Sequence, residues 1–140
     1  MSTKIFINLQ VKDLQKSTAF FTALGYTFNP IFTNHEATCM IISSDIFAML
    51  ITENGFTRFR PKGQAMWQRE VGSECATCLS AESKAAVDAW AEKALSLGAT
   101  ENIVPDMQPP GDMMYGRSIN DLDGHIWEIM WMNPVMIEKF

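Results

Sequence analysis

The residues able to do chemistry in this chain are few and fall in separate groups. Cys75 and Cys78 form a C-x-x-C, a spacing used for zinc and for dithiol redox work, and Cys39 is the third cysteine. No second C-x-x-C completes four zinc ligands. Glu74 to Leu79 also has the composition of a strand, on which residues three apart point to opposite faces. The two sulfurs are therefore expected to diverge as small, half-buried residues. Alternation along His125 to Met132 puts Glu128 with Ile126, Met130 and Met132 on one face, and His125 with Trp127, Ile129 and Trp131 on the other. Glu128 can serve as a general base or hold a cationic ligand, or it can be neutralised by Arg117 on the adjoining strand. His125, pointing away from it, reads as a ligand or as a turn-end residue hydrogen-bonding the Asp121 to Gly124 loop. With His35 in an exposed-looking turn, Ser/His and metal-hydrolytic schemes both lack a base. Tyr115 and Arg117 share a face and can offer a hydroxyl and a guanidinium to an anion, or form a surface pair on an edge strand. Met107, Met113, Met114, Met130, Met132 and Met136 gather in the second half, suiting an adaptable apolar pocket or plain core filling.

The elements that must position these groups follow from periodicity. Ile5, Ile7, Leu9 and Val11 alternate with Phe6, Asn8 and Gln10, the mark of a strand. Asp13 then sits where a helix N-cap belongs, and the stripe Leu14, Phe20, Phe21, Leu24 stops at Gly25. Tyr26 to Thr33, Ala37 to Ser43 and Ile46 to Glu53 are three β-rich runs separated by turn signals. The first half, residues 4–53, reads βαβββ. A polar connecting arm, 54–72, is longer than most internal connections. The pattern then restarts over 73–133: a strand Glu74 to Leu79, Ser80 or Ser83 as cap, and a helix closing at Gly98. Strands Thr100 to Val104, Met113 to Ile119 and His125 to Met132 follow. Asn120 to Gly124 is a hairpin turn by chemistry. Ala23-Leu24-Gly25 recurs as Ser96-Leu97-Gly98 at the same structural point. This is an α+β fold, two βαβββ modules in one chain, whose mixed or antiparallel curved sheets are expected to leave a cleft for a small ligand. Pro105 to Gly111 has the composition of a loop able to lie over that cleft, and residues 134–140 form a tail.

Composition bounds the function. The 140 residues are 47% hydrophobic and 19% charged, enough for one packed domain. The net charge of −5 comes with dispersed Lys and Arg, which excludes the clustered positive face that nucleic acid needs. The absence of a long apolar run predicts no membrane span and a cytoplasmic location.

Asn8-Leu9-Gln10-Val11-Lys12-Asp13-Leu14, Ala19 to Gly25, Tyr115-Gly116-Arg117-Ser118 and Asp121-Leu122-Asp123-Gly124-His125-Ile126-Trp127-Glu128 together resemble the vicinal oxygen chelate superfamily. This superfamily comprises glyoxalases, bleomycin-resistance proteins and dioxygenases, and the nearest look is to small lactoylglutathione-lyase-like bacterial proteins. The resemblance implies a divalent metal held by His or Glu from the first, fourth, fifth and eighth strands, acting as a Lewis acid on a chelating substrate. Those positions fall on Asn8, on Met49 or Leu50, on Ala76 or Cys75, and on Glu128. Only Glu128 is of the expected type. Asn8 and Glu128 are then vestigial metal positions, and no cofactor is expected. The expected binding set is Asn8, Met49, Tyr115, Arg117, Glu128 and Met130, with Glu128 as the catalytic candidate. Three functions compete: a metal-free protein binding a small aromatic or cationic compound; a divalent-metal lyase, isomerase or dioxygenase with a depleted ligand set; and an interaction module whose cleft its own side chains fill. The resemblance also implies a homodimer, with the apolar run Trp131 to Phe140 available to cover a partner.

Overall fold

The computed structural model describes residues 2–103 and 112–138. The chain forms two compact units that divide between Val71 and Gly72, inside the arm expected from the sequence. Each unit builds the same motif. In the first, β1 (Ile5–Val11) leads to α1 (Leu14–Leu24), then β2 (Thr27–Asn29), β3 (Ala37–Ile41) and β4 (Ile46–Thr52). In the second, β5 (Ala76–Ser80) leads to α3 (Lys84–Ser96), then β6 (Thr100–Glu101), β7 (Met114–Asn120) and β8 (Ile126–Met132). The sheet orders are β1-β4-β3-β2 and β5-β8-β7-β6. In both, the first and last strands pair parallel and the remaining neighbours antiparallel, so the sheets are mixed.

Local chemistry sets the boundaries. The Asp13 carboxylate accepts from the Lys16 amide at 3.0 Å and starts α1, and Ser83 Oγ accepts from the Ala86 amide at 3.0 Å and starts α3. Gly25 at φ 116° and Gly98 at φ 107° take the left-handed geometry that lets the chain turn off each helix. Where Tyr26 to Thr33 reads as one strand, β2 is only three residues long. The Asn29 side chain accepts from the Ile31 amide at 3.0 Å and Pro30 opens a 3₁₀ turn over Pro30–Phe32, because proline cannot donate to the sheet. The arm opens with one helical turn, α2 (Glu53–Phe56), which Thr52 caps, and Arg58 pairs with Glu36 beneath it. Further on, Trp67 O accepts from Gln10 Nε2 at 3.4 Å, tying the arm to β1. A second short turn, α4 (Pro134–Ile137), follows β8. The Pro105 to Gly111 loop lies outside the described residues, as do Met107, Val104 and the last two residues of the tail.

Alternation along the strands sorts each sheet into two faces. In the first unit Leu9, Val11, Ala48, Leu50 and Met40 are buried on the face that carries α1, with Phe20 and Phe21 packed down from the helix. In the second, Ile119, Trp127 and Ile129 lie beneath Val87, Ala91 and Ala94 of α3. Trp127, 1% exposed, removes roughly 150–250 Å² from water, worth about 4–6 kcal/mol before ordering costs. Its indole Nε1 donates to buried Asp121 at 2.9 Å. The same carboxylate accepts from the amides of Asp123 at 2.9 Å and His125 at 3.0 Å, closing the β7–β8 turn. The bond expected between His125 and this loop is thus made by its main chain. Burial pushes the Asp121 carboxyl above its ordinary 3.8, against the lowering influence of His125 and the three donors.

The pairing expected between Arg117 and Glu128 is not formed. Arg117 aligns with Ile129 across β7·β8 and Ser118 aligns with Glu128, so the two charges lie on opposite faces of the sheet. Arg117, 15% exposed, instead reaches under α3 and its approaches: 2.7 Å to Glu92, 3.0 Å to Glu101 and 3.5 Å to Asp88. Tyr115, on the same face as expected, donates its hydroxyl to Asp88 at 2.6 Å, a bond that with burial holds the phenol above its usual range. These two side chains fasten α3 to β7.

Two consequences are measurable by urea unfolding. Asp121→Ala strands the Trp127 and His125 donors and costs about 2–3 kcal/mol. Because the folded chain holds the Asp121 proton more tightly than the unfolded chain does, stability declines as pH rises from the ordinary aspartate range through the raised folded value. Above that value it levels off, and Asp121→Asn removes the slope. Arg117→Met, which keeps the apolar stem, costs about 1–2 kcal/mol, a modest figure because the three carboxylates face solvent.

Candidate functional site

With Tyr115 and Arg117 committed to α3, the candidate chemistry lies on the opposite face of each sheet. In the first unit that face is fixed by the parallel β1·β4 register: Phe6 against Phe47, Asn8 against Met49, Gln10 against Ile51. Phe6 and Phe47 stack at 4.8 Å with planes 14° apart, Phe6 is 49% exposed, and Lys4 Nζ stands 5.7 Å from the Phe47 ring centre. They form a flat aromatic surface edged by a cation. Of the two fourth-strand alternatives, Met49 shares this face with Asn8, whereas Leu50, 1% exposed, pairs with Leu9 toward α1. Cys39 of β3 lies against Met49, and burial pushes its thiol up.

In the second unit the β5·β8 register pairs Ala76 with Ile126, Cys78 with Glu128 and Ser80 with Met130. On β7, Ser118 aligns with Glu128, Gly116 with Met130 and Met114 with Met132. Glu128 and Met130 are half-buried and Cys78 is exposed. Although its side chain is exposed, neighbouring protein partly desolvates the Cys78 thiol and, with the negative Glu128 beside it, pushes it up.

The two halves correspond residue by residue. Asn8 stands as far before the cap Asp13 as Cys78 stands before the cap Ser83, and each pairs with a last-strand residue, Met49 or Glu128. The fifth-strand position equivalent to Asn8 is therefore Cys78, where the sequence reading places it at Ala76 or Cys75. Ala76 is two residues away on the same face, and Cys75 precedes the strand. The cap-to-strand interval is the signal that identifies Cys78. Cys75 and Cys78 are also both exposed, where half-buried positions were expected.

The four aligned positions thus carry an amide, a thioether, a thiol and a carboxylate. Among the described residues no three His, Cys, Asp or Glu side chains converge as a metal would require. In neither unit does the aligned pair, Asn8 with Met49 or Cys78 with Glu128, fit a resident divalent ion of the kind the fold family implies, since amide, thioether and thiol are neutral or soft where oxygen and imidazole donors are needed. His125 falls in the β7–β8 turn, and His35 is an exposed side chain 3.7 Å from Glu36. A separate recess of about 570 Å³ runs between α1 and the turn from Thr33 to Thr38, lined by Leu14, Thr18, Ala19 and Thr22. None of the residues singled out from the sequence as site candidates lines it.

Residues 3–43 match the family model described as bleomycin resistance protein-like N-terminal. No curated protein matches the sequence. Among solved structures, a hypothetical protein from S. aureus is 25% identical, with a TM-score of 0.74 over 94% of each chain. A glyoxalase/bleomycin resistance protein/dioxygenase family enzyme from Burkholderia phytofirmans is 14% identical, with a TM-score of 0.74 over 94% of this chain and 100% of that one. A point mutant of a fosfomycin resistance protein from Listeria monocytogenes, complexed with Mn(II) and 1S,2S-dihydroxypropylphosphonic acid, is 18% identical, with a TM-score of 0.65 over 92% and 89%. The doubled βαβββ motif and these likenesses give the chain the fold of the glyoxalase/bleomycin resistance/dioxygenase proteins of the vicinal oxygen chelate superfamily.

Proposed function

We propose that the chain binds a small organic molecule through the sheet faces opposite the helices, without a resident divalent metal. The observation that carries this reading is the register that leaves Asn8, Met49, Cys78 and Glu128 at the aligned positions, a set suited to contacting a ligand and not to chelating a hard ion. The Phe6–Phe47 stack and Met130 favour an aromatic body, and the Glu128 carboxylate favours a cationic group. Asn8 supplies both a hydrogen-bond donor and an acceptor. The protein is read as cytoplasmic and homodimeric. No described helix is long and apolar enough to cross a membrane, and Val135 and Ile137 of α4 are exposed apolar side chains available to a second copy.

The second reading, a divalent-metal lyase, isomerase or dioxygenase related to lactoylglutathione lyases, is favoured by Glu128, the one ligand of the usual type. The Listeria relative solved with Mn(II) supports it by analogy.

A screen of planar aromatic cations by thermal unfolding, paired with elemental analysis for Mn, Fe, Ni and Zn, separates the readings. The binding reading expects a dye that, at about one hundred times its Kd, stabilises the chain by about 2.7 kcal/mol. Its affinity falls about tenfold in Glu128→Gln, and divalent metal stays well below one equivalent. Stoichiometric metal whose removal abolishes substrate turnover establishes the enzyme instead.

A further inference from the structure

Methionine makes up ten of the 140 residues, and three of them meet on one face of one sheet. Met114 and Met132 are direct cross-strand partners on β7 and β8, and Met130 lies two residues before Met132 on the same side. Side chains paired in this way start about 4.5–5.5 Å apart at Cβ, and those two apart on one strand about 7 Å, within reach of flexible thioethers. Gly116 faces Met130 and supplies no side chain. A Cβ built there would lie 3.6 Å from Met130 Cβ and 3.5 Å from its terminal methyl, so the Met130 side chain lies over the bare backbone of β7, toward the strand that carries Met114.

We propose that this face of the second unit holds a soft monovalent cation, Cu(I) or Ag(I), through the thioethers of Met114, Met130 and Met132. Thioether sulfur favours Cu(I) and its heavier relatives over hard ions, and a set of three sulfur donors matches the low coordination numbers those ions accept. Neutral thioethers give Mg²⁺, Ca²⁺ and Mn²⁺ nothing to replace their oxygen shells. Glu128, beside Cys78, adds a negative charge that draws a cation to the face without having to ligate it. Each methionine has three rotatable side-chain bonds, so the sulfurs can close on the ion by changing rotamer while the strands stay paired. All the donors belong to the second unit, and only Met130 is shared with the organic-ligand reading, so the Met114→Leu/Met132→Leu variant tests this site apart from that reading.

The test uses the reduced full chain under anaerobic conditions, titrated with Cu(I) against a chromophoric chelator and with Ag(I) by calorimetry. The expected result is about one equivalent of either ion, held at least about tenfold more weakly in Met130→Leu and in Met114→Leu/Met132→Leu. Those near-isosteric changes leave the urea midpoint close to that of the parent chain. Cys75→Ser binds as the parent does, and ¹³C-methyl resonances of the three methionines shift on loading. No uptake overturns the proposal, and so does uptake that survives the methionine changes but vanishes in Cys75→Ser, since that places the ion on the C-x-x-C sulfurs.

Discussion

The parallel pairing of the first and last strands in each unit is the constraint on which every functional assignment here depends. Because side chains alternate across a pleated sheet, fixing Asn8 against Met49 and Cys78 against Glu128 decides for whole strands which residues sit under a helix and which do not. A slip of one residue would bring Leu9 and Trp127 out from beneath their helices, an inversion that the buried area of Trp127 alone makes costly. Hydrophobic burial on the helix side thus positions the polar and sulfur groups on the other side.

The same logic explains the two fates of charge in the second unit. Arg117 lies on the helix side, where its guanidinium is largely shielded and three carboxylates from α3 and β6 answer it. Glu128, one face away, has no part in that network and stays beside a thiol and thioethers. Two residues that look like natural partners in the sequence are separated by the thickness of a β-strand. The sheet itself keeps the carboxylate from the arginine.

Much of the fold was legible in the letters. The alternation of Ile5 to Val11, the cap Asp13 and the stop at Gly25 all appear as read, because each is a local rule with a strong physical cause. The shortened β2 was missed because the Asn29–Pro30 signal lies inside a β-rich run whose composition outweighs it. At the candidate site, period two puts Glu128 and Met130 on one face, while the choice between Met49 and Leu50 opposite Asn8 needed the β1·β4 register. Reading missed Cys78 because β5 starts at Ala76, two residues later than the composition of Glu74 to Leu79 suggests. The partner of Arg117 was not legible, since it depends on a helix far away in the chain meeting β7, and no single-strand pattern records that.

The Asp121 turn bears on the order in which the second unit assembles. The Trp127 indole meets its acceptor only six residues away, so that contact closes at small cost in chain entropy. The parallel register of β5 with β8 must instead bring Ala76 to Ile126, across α3 and two intervening strands. Contacts of short span form on faster timescales than those that close long loops. By span alone, the β7–β8 ribbon pinned by Asp121 closes at smaller entropic cost than the β5·β8 pairing that sets Cys78 against Glu128.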